Sequence, residues 1–371
     1  MYFIKSISNI QYLIFALKNM CKSKFKIVIL LIMLAVFTTG CISFNTGSKA
    51  PVIVDSGVFK STSKGEIWQH AVLIPTISGQ PGSIAGFATA AMAMDPSDSQ
   101  AIYFGSVGNG LFYSYDGAQS WLPAHSLGPG IIKAIAVDPD SKCIIYTAIN
   151  NAVFKTTDCN RSWQRVYFDN DLTVTVNTIA IDHFNSEFVY IGTSRGEVIK
   201  SFDRGVSWQT LYRMANSIEK IVISPHDSRI IFTATANKGI HRSIDGGSSW
   251  LDLSENLIEF LGNTTYRDMV VAEAEPGLLY LATSYGLIRS EDNGDNWSKI
   301  ELITPEQGAI INAIAVNPKN AAEIYYITNT TFYRSADSGK TWGTIKLPTS
   351  KTGWRILIDY ENPSIIYLGV K

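Results

Sequence analysis

The chain has 371 residues and is close to neutral, with 31 Lys and Arg against 32 Asp and Glu. With 17 Tyr, 17 Phe and 28 Gly, and no long amphipathic helical pattern after about residue 50, the composition points to an all-β protein. Five lysines fall in the first 40 residues; without that stretch 26 basic residues face 32 acidic ones, a net charge near −6 that argues against nucleic acid and against a basic membrane-hugging surface.

In chain order, the first element is an export signal over residues 1–40. Lys5, Lys18, Lys22, Lys24 and Lys26 occur there without an acidic residue, and the apolar run "IVILLIMLAVF" follows over residues 27–37. A membrane-spanning helix needs roughly 20 apolar residues, so the run reads as the hydrophobic core of a signal segment. An uncleaved anchor is the alternative, and Met20 is an alternative start. The junction "TTGC" resembles the lipobox of bacterial lipoproteins, although Thr38 stands where an aliphatic residue is usual. That resemblance implies a lipid on Cys41, a linker over 41–51, and residence in the cell envelope outside the cytoplasm.

Residues 52–371 carry one unit seven times. Its variants include "SYDGAQSW", "TTDCNRSW", "SFDRGVSW", "SIDGGSSW", "SEDNGDNW" and "SADSGKTW". The terminal tryptophans, Trp68, Trp121, Trp163, Trp208, Trp250, Trp297 and Trp342, are spaced by 53, 42, 45, 42, 47 and 45 residues. This is the period of a four-stranded propeller blade. Upstream of each lies a short apolar run such as "AIAVDP", read as an innermost strand. A second strand follows with an aromatic: Tyr103, Tyr146, Tyr190, Phe232, Tyr280, Tyr325 and Tyr367 in turn, read as inter-blade core. Residues 354–371 hold the first two strands of a unit and residues 56–68 the last two. Joined, they predict a seventh blade that closes the ring and removes two open edges.

The repeated string resembles the Asp-box, or BNR repeat, of sialidases, two-propeller xyloglucanases, sortilin-type receptors and the photosystem II assembly-factor family. Asp116, Asp158, Asp203, Asp245, Asp292 and Asp337 are expected to accept backbone N–H groups within the turn between strands three and four. Gly205 provides a positive φ, and Asn160, which tolerates that region, replaces the glycine in the third copy. The first copy has Ser63 in place of the aspartate. These residues serve the fold rather than chemistry.

If those turns lie at one end of the ring, the starts of the inner strands lie at the other. Lys133, Asn177, Glu219 with Lys220, Arg267 with Asp268, Asn312, and Trp354 with Arg355 then surround one mouth of the channel. The connection over residues 70–90 is expected to fold over this mouth and that over 254–266 to wall it. The cations with Trp354 suit an acidic peptide segment or a carboxylate-bearing ligand, with Arg267 and Arg355 as anchors. Solvated rim residues, or mutual salt bridges, are the plainer reading.

Glu219 and Asp268 are the candidate carboxylate pair for a glycoside hydrolase of sialidase or xyloglucanase type. The Arg-Ile-Pro motif of most sialidases is absent, and seven blades replace six. Over residues 52–371 the chain is most similar to the photosystem II assembly-factor family, in blade number, single domain, repeated turn and export signal. That resemblance implies a non-enzymatic, monomeric scaffold for membrane-protein subunits. The family's arginine-rich partner site does not transfer residue by residue. His70, His125, His183, His226 and His241 show no ligand spacing and read as loop or surface residues, so neither a metal nor another cofactor is expected. Cys143 and Cys159 fall on paired strands, with position 143 opposite about 158, within disulfide reach; two free thiols are the alternative.

Overall fold

The computed structural model describes residues 54–260, 265–308 and 310–371. The signal segment, Cys41 and the linker therefore lie outside the described residues. Seven four-stranded antiparallel sheets form a ring, a seven-bladed β-propeller. The inner strands are Thr89–Asp95, Ile132–Asp138, Val176–Ile181, Ile218–Ile223, Tyr266–Val271, Ala313–Asn317 and Gly353–Ile358, of blades 1 to 7 in turn. Blade 7 is the composite that the two half-units predicted. Its strand order runs from Gly353–Ile358 through Ile366–Val370 and Gly57–Ser61 to Gln69–His70. Gly57 pairs with Val370 and Ser61 with Ile366.

The repeated turn shows why it needs its four residue types. In blade 3, Ser201 Oγ donates to Asp203 Oδ1 at 2.7 Å and accepts the N–H of Gly205, also at 2.7 Å. Asp203 in turn accepts the N–H of Ser207 at 2.8 Å and its hydroxyl at 2.5 Å. Those donors, the Ser207 hydroxyl first, hold the Asp203 carboxyl at about 2. Two successive residues, Arg204 and Gly205, sit at φ 58° and 86°, so the turn uses two left-handed positions rather than the one expected. A Cβ on Gly205 would come within 3.2 Å of the Tyr146 ring and 3.4 Å of Trp208. The degenerate first copy works with one acceptor fewer, since Ser63 Oγ accepts the N–H of Ile67 at 2.9 Å.

The turn also joins blades. Tyr146 Oη and Lys155 Nζ of blade 2 both donate to the carbonyl of Arg204, at 2.7 and 2.8 Å. Tyr367 and Lys60 of blade 7 do the same to Gly117 of blade 1, at 3.4 and 2.7 Å. The second-strand aromatics form the inter-blade core as expected, none of the seven being more than 1% exposed. Long connections depart from expectation. Residues 70–90 do not cover the mouth: they pack between blades 7 and 1, where the Trp121 indole donates to the Ala71 carbonyl and the Trp121 N–H to Leu73. Leu253, Leu257 and Phe260 pack outward against Trp297 and Tyr285, and among the described residues of that connection Thr265 and Tyr266 are the ones at the channel. His241 is no surface residue, lying in the strand Ile240–Ser243 with little exposure.

Cys143 and Cys159 face each other across blade 2, with Cα atoms 4.0 Å apart and sulfurs in bonding contact. The register extends from Ile145 opposite Thr156, which sets position 143 opposite 158. A closed 16-residue separation corresponds to about 3 kcal/mol of loop entropy. Thiol counting on denatured, unreduced protein is expected to find neither sulfur reactive. Two reactive thiols in the peptide spanning 142–161 would refute the bond.

Candidate functional site

The seven inner strands converge on a channel of about 960 Å³. Its lining includes every residue the sequence placed at the mouth: Lys133, Asn177, Glu219, Lys220, Arg267, Asp268, Asn312, Trp354 and Arg355. The backbone explains why the sequence signal sits there. In six of the seven blades the inner strand carries one extra residue against its neighbour, between Thr89 and Ala91, Ile132 and Ala134, Val176 and Thr178, Ile218 and Lys220, Tyr266 and Asp268, and Gly353 and Arg355. The extra residues are Ala90, Lys133, Asn177, Glu219, Arg267 and Trp354. A bulge re-aims a side chain that regular alternation would send into the sheet packing, so each blade presents one variable residue at the mouth.

The mouth residues divide into latches and free groups. Asn177 Nδ2 donates to the Ile218 carbonyl of the next blade at 3.1 Å, and Asn312 Nδ2 to the Gly353 carbonyl at 2.9 Å. Asp268 is also a latch: Oδ2 accepts the N–H of Ile314 in blade 6 at 3.0 Å, while Oδ1 meets Lys220 Nζ of blade 4 at 2.7 Å. Burial alone would raise its carboxyl, but Lys220, Arg355 and the Ile314 N–H hold it below the ordinary range. Burial pushes the neighbouring Tyr266 phenol well above its usual value, reinforced by Asp268.

The remaining cations are unspent. Arg267 and Lys133 are exposed and make no hydrogen bond or ion pair with the described residues. Arg355 donates only to the carbonyl of Trp354 and lies 5.0 Å from that indole. Lys371, which nothing in the sequence marks as a mouth residue, places its Nζ 3.9 Å from the centre of the same ring. Burial and the charges of Arg355 and Lys133 push its ammonium below the usual lysine range, as expected of cations crowded without a carboxylate between them. Blade 1 carries alanines, Ala90 and Ala91, at the position where blades 2 and 7 carry Lys133 and the Trp354 group.

Asp268 is held ionised, and Glu219 is exposed and bonded to the Ser217 hydroxyl at 2.7 Å. Among the carboxylates lining the channel, Glu273 is the one raised above its ordinary range, by desolvation at the far rim and against His183 and His226. It lies beyond the far end of the strand Tyr266–Val271 that carries Asp268.

Asp268→Asn is expected to strand Lys220 and cost about 2 kcal/mol, less than a fully buried pair because Lys220 keeps contact with water. Because the Asp268 carboxyl is depressed in the folded state, its contribution is complete above the ordinary carboxylate range and is lost as pH falls through the folded value. Urea melts should therefore show a parent-to-variant gap at pH 7 that closes as pH is lowered through and below the ordinary carboxylate range. A gap constant over that range would show that the carboxylate charge contributes nothing.

No family model matches the sequence, and no curated protein does. Similar solved structures do exist. A GH74 enzyme from Niastella koreensis has 18% identity and a TM-score of 0.61, covering 76% of this chain and 51% of its own. YCF48 bound to D1 peptide has 17% identity and a TM-score of 0.60, with 81% and 94% covered. YCF48 from Cyanidioschyzon merolae has 12% identity and a TM-score of 0.58, with 80% and 97% covered. The chain thus spans about half of the GH74 enzyme and nearly all of each YCF48 chain. At these identities the likeness shows the shared propeller fold.

Proposed function

We propose that this protein is an exported, membrane-attached, non-enzymatic propeller that holds an acidic segment of a protein partner at the channel mouth, as a scaffold in membrane-protein assembly would. The observation that carries this is the set of unspent mouth cations, Lys133, Arg267, Arg355 and Lys371, grouped with the Trp354 indole on a rim whose Asp268 is already neutralised by Lys220. Such cations are paid for in desolvation and mutual repulsion, and an incoming carboxylate relieves both. The likeness to YCF48, one structure of which is bound to D1 peptide, supports peptide binding over turnover. Attachment through Cys41 rests on the "TTGC" junction. The test titrates the full-length protein with a fluorescent glutamate-rich peptide and with its glutamine counterpart. Binding of the first alone, weakening with salt, supports the scaffold. Equal affinity for both peptides, or turnover of fluorogenic glycosides, would overturn it.

A further inference from the structure

The overall negative charge resolves into two unlike ends. At the end that carries the repeated turns, acidic residues outnumber basic ones overall, even with the third-strand cations that reach it, Lys60, Lys155, Lys200, Arg242, Arg289 and Arg334, counted in. Blade 5 places Glu273, Glu275, Glu291, Asp292 and Asp295 there, with Arg289 pairing with Glu291 and Arg242 of blade 4 with Asp295. The mouth end is different. From the blade 6 turn at 328–330 round to the blade 2 turn at 150–151, the basic residues at this end are Lys346, Lys351, Arg355, Lys371 and Lys133, and the acidic one is Asp55; Asp169 and Asp171 border that sector on one side and Glu301 and Glu306 on the other. Asp55 is already engaged, its carboxylate accepting the Thr349 hydroxyl at 2.9 Å and the Ser350 N–H at 2.8 Å. Lys346 and Lys351 are exposed, and no ion pair joins either to the described residues.

Two further features fall on the same sector. Val107 and Ile131 pair in an isolated bridge between blades 1 and 2 at the mouth end, each 39% exposed, and Val54 is 48% exposed in the next blade of the ring order. Val54 is also where the described chain begins, held at the mouth end by the Asp55 contacts with residues 349–350. With attachment at Cys41, residues 42–53 intervene, which limits the reach to roughly 40 Å. A tether of that length keeps the propeller near a bilayer without choosing the end it presents. Charge makes the choice: an anionic surface repels the turn end and attracts the lysine sector, each lysine adding about 1 kcal/mol near the headgroups, a factor of roughly five.

We propose that the mouth end lies against an anionic bilayer, seated on the sector of blades 6, 7, 1 and 2, with Lys346 and Lys351 at the headgroups and Val54, Val107 and Ile131 at the interface. This rests on the membrane attachment proposed above, and it turns the channel mouth toward segments that emerge from the same membrane. It also corrects the expectation from net charge alone, which a segregated surface escapes.

The test uses the full chain with a hexahistidine tag ahead of Met1, on phosphatidylcholine vesicles containing 30% phosphatidylserine and a nickel-chelating lipid, so that orientation is read whatever the native anchor does. A fluorescent amino acid replaces Val107 or Ile131 at the mouth end, or Val206 or Ile244 at the turn end. Brominated lipid should quench the first pair several-fold more than the second, and Lys346→Glu with Lys351→Glu should abolish the difference. Equal quenching at both ends, stronger quenching at 206 and 244, or a difference untouched by the lysine reversal would overturn the proposal. Sedimentation with vesicles lacking the nickel lipid tests the attachment separately: its failure removes the anchor and leaves the orientation result standing.

Discussion

Deleting residues 365–371 is expected to leave an insoluble protein. Those residues contain the strand Ile366–Val370, which is central rather than terminal in its sheet, paired on one side with Gly353–Ile358 and on the other with Gly57–Ser61. Ile366, Tyr367, Leu368 and Val370 are all fully buried. Removing large buried side chains costs about 2–5 kcal/mol each, so four of them match or exceed the roughly 5–15 kcal/mol that stabilises a typical domain. The deletion also removes the Tyr367 hydrogen bond to Gly117 that ties blade 7 to blade 1, and exposes two strand edges to other chains. Sedimentation of expressed protein, and thermal melts of any soluble fraction, check this. A truncated protein that is soluble and melts like the parent would show that the ring closes without the composite sheet.

The composite blade, the strand-two aromatics and the mouth residues were legible because each repeats with the blade period, so a signal weak in one copy is averaged over seven. What was not legible is what happens once. The path of residues 70–90 depends on the Trp121 indole finding the Ala71 carbonyl, a contact between positions 50 apart that no repeat announces. Lys371 joins the mouth because its strand ends where the Trp354 ring lies, and nothing local marks it. The bulges hid for a related reason. An inner strand such as "IKAIAVD" reads as a short apolar run with a polar intruder, and only pairing against the neighbouring strand shows Lys133 to be the extra residue. The turn was half legible. Gly205 announces its left-handed position, whereas Arg204 before it, and Ala118 in blade 1, hold the same region by context.

Replacing Arg267 and Arg355 together with alanine is expected to abolish capture of acidic peptide while leaving the fold intact. Arg267 is exposed and unpaired among the described residues, and the hydrogen bond of Arg355 goes to its neighbour's carbonyl, so the melting temperature loses a weak stacking contact with Trp354 and the smaller share of the charge on Asp268, whose direct partner Lys220 remains. Binding has much more to lose. A charge-assisted hydrogen bond contributes about 1.5–3 kcal/mol, so two arginine anchors account for about 3 kcal/mol or more, a hundredfold or greater weakening. The control must avoid structural lysines: Lys60 donates to the Gly117 carbonyl and Lys64 pairs with Glu323, and replacing either would disturb the ring. Lys142, whose ion pair with Asp98 at 3.6 Å is a weak surface one, and Lys340, both exposed at the turn end, remove the same net charge without touching the mouth. Anisotropy titration of the glutamate-rich peptide should show the arginine pair losing binding and the lysine pair keeping it. Equal loss in both variants would mean that only net charge matters, and retained binding in the arginine pair would move the site away from the channel mouth.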